Sequence, residues 1–109
     1  VHNAICRGGE ILFPVRPEVL MKRLPFVACA AYLGLPDPAL GERTCAAFSA
    51  HSLHVLPNMV EAVRNALQRE QIPVDEVRWV QQIPLDPRHH SKVQYSLLRE
   101  QLLAEKPPC

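Results

Sequence analysis

Apolar and polar positions change period several times along the chain, and each change marks an element. Ala4 to Arg7 and Ile11 to Phe13 read as two short strands around Gly8-Gly9, where glycine accepts positive φ without a Cβ clash. Two strands this short need a further surface to lean on. Pro17 suits the first turn of a short helix and Glu18 adds negative charge at its positive end. Val19, Leu20 and Leu24 supply that helix's apolar side, and Pro25 stops it. Val27 to Leu35 is β-compatible and Thr44 to Ser49 is its partner, with Gly34, Pro36, Asp37, Pro38 and Gly41 marking the turn between them.

After a connection over Leu53 to Pro57, Asn58 is placed to cap the clearest helix, in which Met59, Val63, Ala66 and Leu67 recur with helical spacing. Glu61, Arg64, Gln68 and Arg69 form its wet side. Val74, Val77, Trp79 and Ile83 outline another strand with its entry and exit, and Val93 to Leu103 reads as a last helix packing through Leu97, Leu98 and Leu102. The economical arrangement is an α+β fold: a short N-terminal β-hairpin followed by a small three-stranded sheet packed with helices.

Length and composition narrow the function. At 109 residues and 48% hydrophobic, the chain builds one modest core and a single domain. Twelve Lys and Arg against 11 Asp and Glu leave +1, which gives no long-range pull on nucleic acid. No apolar run approaches the ~18 residues of a membrane span, and Val1-His2-Asn3-Ala4 lacks the form of a signal peptide, so a cytoplasmic domain is expected. The four cysteines, Cys6, Cys29, Cys45 and Cys109, have no short paired spacing and read as free thiols. His51 and His54 share a helical spacing, but nothing nearby completes a tetrahedral set, and no metal site is expected.

The segment Pro84-Leu85-Asp86-Pro87-Arg88-His89-His90-Ser91-Lys92-Val93 is the candidate for chemistry. Two prolines restrict the approach, and a lysine is delivered just before a helix, where its charge could orient a carboxylate and offset charge on phosphate oxygens. Simpler local readings stand beside this one. Lys92 is also a solvated loop lysine, Gly8-Gly9 a plain hairpin turn, and Glu10 and Glu18 solvated charges. Arg88, His89 and His90 would engage phosphate or merely position the loop, and Trp79 is a core or interdomain anchor.

The order of these fragments resembles the C-terminal domain of the superfamily of acyl-CoA synthetases, nonribosomal-peptide adenylation domains and firefly luciferase. Arg7-Gly8-Gly9-Glu10-Ile11, then Phe13-Pro14 and Glu18-Val19-Leu20, is similar to the family's glycine turn, proline and short acidic helix. Gly34-Leu35-Pro36-Asp37-Pro38 and Gly41-Glu42 resemble its next turn, and Lys92-Val93 matches the catalytic lysine before the final helix. Ser91 replaces the usual glycine. The longer approach from Pro84, with Arg88-His89 ahead of the lysine, is similar to the fatty-acyl branch that contains the β-lactone synthetases of olefin biosynthesis. His2 falls where the family hinge is normally Asp or Lys.

The resemblance implies that residues 1–106 are the mobile C-terminal domain of a longer ligase and 107–109 a flexible tail. It implies ATP and Mg2+ bound mainly by an N-terminal domain, with a carboxylic acid, in particular a fatty acid, as the substrate. Lys92 is then catalytic in acyl-adenylate formation. Gly8, Gly9, Glu10 and Arg88 are the binding candidates, the glycine turn lining the route of CoA or a carrier pantetheine. Two alternatives remain: a β-lactone-forming synthetase acting on a β-hydroxy acid, and a non-catalytic binding or regulatory module with the same fold.

Overall fold

A computed structural model describes residues 4–51, 57–88 and 92–104. In chain order the elements are β1 (Ile5–Arg7), β2 (Glu10–Leu12), α1 (Val15–Lys22), β3 (Val27–Asp37), β4 (Gly41–Ala50), α2 (Pro57–Arg69), β5 (Glu76–Trp79) and α3 (Tyr95–Ala104). All five strands join one sheet in the order β2-β1-β4-β3, with β5 also on β4. β3 and β4 form a long antiparallel pair from Val27↔Ala50 to Asp37↔Gly41. The other side of β4 carries β5 in parallel, from Cys45↔Glu76 to Phe48↔Trp79, and the hairpin through Arg7↔Gly41. That contact with β4 is the support which the two short strands require.

Both faces of the β3–β4 pair are covered, so its strands read as nearly continuous apolar runs. Successive side chains point to opposite faces. Ala30, Tyr32, Ala46 and Phe48 therefore share one core with Met21 of α1 and Val63 and Leu67 of α2. Ala31, Leu33, Leu35, Cys45 and Ala47 share the other with Val80, Ile83 and Leu98 and Leu102 of α3. Phe26 and Phe48 meet edge to face on the first side, with ring centroids 5.9 Å apart. The molecule is a sheet with α1 and α2 on one face and α3 on the other.

Several local expectations shift. β3 runs on through Pro36 and Asp37; Pro36 is tolerated because β3 is an edge strand with no further neighbour to receive an N–H. Leu20 of α1 and Leu24 just beyond it pack on the core as expected, but the fully buried positions of α1 are Pro17 and Met21, and Val19 is 47% exposed. Asn58 lies inside α2 rather than capping it, and the preceding positions fall outside the described residues. α3 begins at Tyr95, because Val93 is engaged in a bridge with Leu85, and Leu97 faces outward beside buried Leu98. Trp79 is 37% exposed, so it is not a core residue. Cys45 is buried, Cys29 half-buried and Cys6 exposed, all three as free thiols. Among the described residues, no helix is long and apolar enough to cross a membrane.

Candidate functional site

Lys92 lies beside an isolated antiparallel bridge that holds two stretches of chain together, 84–86 and 92–94. The Asp86 amide donates to the Lys92 carbonyl at 2.8 Å, the Gln94 amide donates to the Pro84 carbonyl at 2.9 Å, and Leu85 bridges Val93. Leu85 and Val93 also pack on the α3-side core, which seats the base of both legs. Pro84 and Pro87 suit this geometry, since neither needs to donate an amide there. On the outward leg, the Arg88 amide donates to Asp86 Oδ1 at 2.8 Å. The Arg88 and Lys92 side chains are exposed, one on each of the two legs whose base is fixed. His89, His90 and Ser91 lie outside the described residues, as do His2 and the segment 105–109.

The start of α3, immediately after this loop, is tied to the rest of the domain by a carboxylate. Tyr95 donates its hydroxyl to Glu18 Oε2 at 2.5 Å, and the Tyr32 amide donates to the same oxygen at 3.0 Å. Glu18 is thus a half-buried tie rather than a solvated charge at a helix start. Burial raises its pKa, and the hydrogen bonds from Tyr95 and Tyr32 together with nearby Lys22 pull in the other direction. Burial and the Glu18 contact hold the Tyr95 phenol protonated well above its ordinary range.

Gly8 and Gly9 form the second candidate face. Both have positive φ, 57° and 88°, which closes the hairpin between Arg7 and Glu10. The Gly8 amide donates to the Leu40 carbonyl at 2.8 Å, fixing the turn on the β3–β4 connection. A Cβ at Gly9 would meet nothing within 4 Å, so the outer side of this turn is open. Glu10 is exposed at the start of β2, on the wall of a groove of about 340 Å³ lined also by Ile11, Phe13, Arg16 and Tyr32.

Two carboxylates hold this hairpin. Asp75 accepts from Arg7 Nε and Nη2 at 2.8 Å each and from the Thr44 amide at 2.8 Å. The Arg7 guanidinium, aided by Thr44, keeps the Asp75 carboxyl well below the usual carboxylate range despite some desolvation. Glu42 Oε1 accepts from the Cys6 amide at 2.8 Å. At Gly34 a Cβ would lie 2.7 Å from Glu42 Oε2 and 3.0 Å from Ile5, so glycine is what lets β1 approach β3 here. Nothing local to Asp75 announces its role, because its partner Arg7 lies 68 positions away.

Gly8, Gly9 and Glu10 are therefore gathered in one turn, and Arg88 and Lys92 in one loop, on separate attachments to the sheet. Among the described residues no group of three or more His, Cys, Asp or Glu could hold a metal ion.

No family model matches the chain. In sequence it is 33% identical over 108 residues to the long-chain-fatty-acid–CoA ligase FadD13 of Mycobacterium tuberculosis, covering 98% of this chain and 21% of that relative. It is 34% identical over 83 residues to a salicylyl-CoA synthase / salicylate adenylyltransferase of a Streptomyces species, covering 69% of this chain and 15% of the relative. Among solved structures, a Mycobacterium tuberculosis fatty acyl CoA synthetase superposes with a TM-score of 0.73 at 32% identity, over 96% of this chain and 20% of that one. The chain thus spans about a fifth of the length of the first of these relatives.

Proposed function

From a chain that resembles the C-terminal domain of the acyl-CoA synthetase, adenylation and luciferase superfamily in both sequence and fold, we propose a role as the mobile domain of an ATP-dependent carboxylate-activating ligase. The observation that carries the reading is the exposed Lys92 on a loop whose two legs are hydrogen-bonded and seated on the core. A lysine with this support has a defined reach, whereas a lysine on a loose loop would spend its charge in bulk water.

In the first half-reaction a carboxylate oxygen of the acid bonds to the α-phosphorus of ATP, and the bond to the β-phosphate bridging oxygen breaks. Acyl-adenylate and pyrophosphate result. The Lys92 ammonium orients the carboxylate and offsets negative charge on the phosphate oxygens, with Arg88 as a second phosphate-directed cation. ATP and Mg2+ are held mainly by the large domain in this reading. The domain then turns. Gly8-Gly9 faces the cleft, where the side of Gly9 that has no neighbour within 4 Å gives a thiol arm of CoA or a carrier close access to backbone. The thiol sulfur bonds to the acyl carbon, its proton passes to solvent, and AMP leaves. A fatty acid is the proposed substrate, in keeping with the long-chain-fatty-acid ligase among the relatives.

In the ligase that carries this domain, Lys92→Ala is expected to lower acid-dependent pyrophosphate release roughly 100- to 1000-fold, the scale of losing one transition-state charge partner. Equal rates for wild type and variant would overturn the assignment. Mass analysis of products from fatty and β-hydroxy acids separates thioester from β-lactone. Absence of any acid-dependent pyrophosphate release would favour the binding module.

A further inference from the structure

We propose that Glu18 and Tyr95 are a positioning pair for Lys92, coupling the helix on one face of the sheet to the catalytic loop on the other; this rests on the assignment of Lys92 to adenylation. Among the described residues β3 is one edge of the sheet. Two of its outward backbone groups are taken by side chains arriving from opposite faces. The Tyr32 amide is bound by Glu18 of α1, and the Gly34 carbonyl accepts from Arg99 Nε of α3 at 2.9 Å. The Glu18–Tyr95 hydrogen bond then passes around this edge and joins α1 to α3.

The consequences for Lys92 follow from chain geometry. Tyr95 and Arg99 are four positions apart on α3, so they lie on one helix face and fix its rotation against β3 at two points. Lys92 is three positions before Tyr95, and the intervening Val93 and Gln94 are themselves held by the bridge to Leu85 and the bond to Pro84. A shift at Tyr95 has no slack in which to dissipate before it reaches Lys92. The Gly8-Gly9 turn is held through Leu40, Asp75 and Glu42, by bonds other than those of the Glu18–Tyr95 pair, so the shift should fall mainly on Lys92. Glu18 touches neither acid nor nucleotide in this account and acts only through the loop.

The test uses the full ligase, with pyrophosphate release and capture of a supplied acyl-adenylate by CoA measured separately. Tyr95→Phe removes a single oxygen and leaves Leu98, Leu102 and Arg99 in place. It is expected to lower the adenylation kcat roughly 10- to 100-fold, in line with the cost of a small misplacement, with KM for ATP and acid unchanged. Capture of supplied adenylate should match wild type. Glu18→Ala should behave like Tyr95→Phe, the double variant should be no worse than the more impaired single, and Glu18→Gln, whose amide oxygen still accepts both hydrogens, should restore most of the rate. Equal losses in the two half-reactions would indicate general destabilisation and overturn the proposal, as would a Glu18→Gln defect equal to that of Glu18→Ala. Should Lys92→Ala impair adenylation while Tyr95→Phe does not, the pair fails and the role of Lys92 stands. Should Lys92→Ala have no effect, both fall together.

Discussion

Asp75 and Glu18 are both carboxylates near strand edges, yet their surroundings push them in opposite directions. Asp75 gains a bidentate guanidinium and the Thr44 backbone donor, so its folded pKa lies below the unfolded value. Its contribution to stability is complete above the unfolded carboxylate pKa of about 3.9 and is lost as pH falls through the lower folded value. Asp75→Asn is therefore expected to cost about 1–3 kcal/mol at neutral pH, and the gap to wild type should close progressively below about pH 4. Urea unfolding of the two chains at several pH values measures this. Glu18 has the opposite sign, because burial raises its folded pKa: its share of stability falls as pH rises from the unfolded value through the folded one. At this scale the sequence offers half of each pair. Arg7 stands in a recognisable glycine turn and Glu18 in a helix start, but their partners Asp75 and Tyr95 are reached only through the fold, across 68 and 77 positions.

Elements were more legible than their ends. The apolar runs at Val27 to Leu35 and Thr44 to Ser49 identify β3 and β4, because two covered faces demand continuous hydrophobicity. The helical spacing of Val63 and Leu67 identifies the inward face of α2 in the same way. What periodicity could not set was rotation. Leu97, Leu98 and Leu102 all suit a packed helix, but the ties at Tyr95 and Arg99 turn Leu98 and Leu102 inward and leave Leu97 46% exposed. Leu98→Ala should accordingly cost about 2–5 kcal/mol in urea unfolding of the chain. Leu97→Ala should stay within about 0.5 kcal/mol of wild type. Comparable costs for the two would mean that α3 is rotated from the position described. Helix ends escaped for a related reason: the bridge between Leu85 and Val93 takes two residues that are equally fit for helix and strand.

Across the whole molecule, the sheet acts as a rigid mount for two separate features. One end presents the Gly8-Gly9 turn, bound to the β3–β4 connection and to β5's approach through Asp75. The opposite layer delivers the Lys92 loop, steadied by its own legs and by the α3-side core. Under the proposed function, a single body that carries both serves two reaction steps by turning, with no internal rearrangement of either feature. The direct test is to measure both half-reactions in the full ligase for Lys92→Ala and for Gly9→Val, which places a branched side chain on a residue with φ of 88° at the open turn. The account predicts a crossed result: Lys92→Ala loses pyrophosphate release but still passes a supplied adenylate to CoA, and Gly9→Val releases pyrophosphate normally but fails in the transfer. Loss of the same half-reaction in both variants, or of neither, would contradict it.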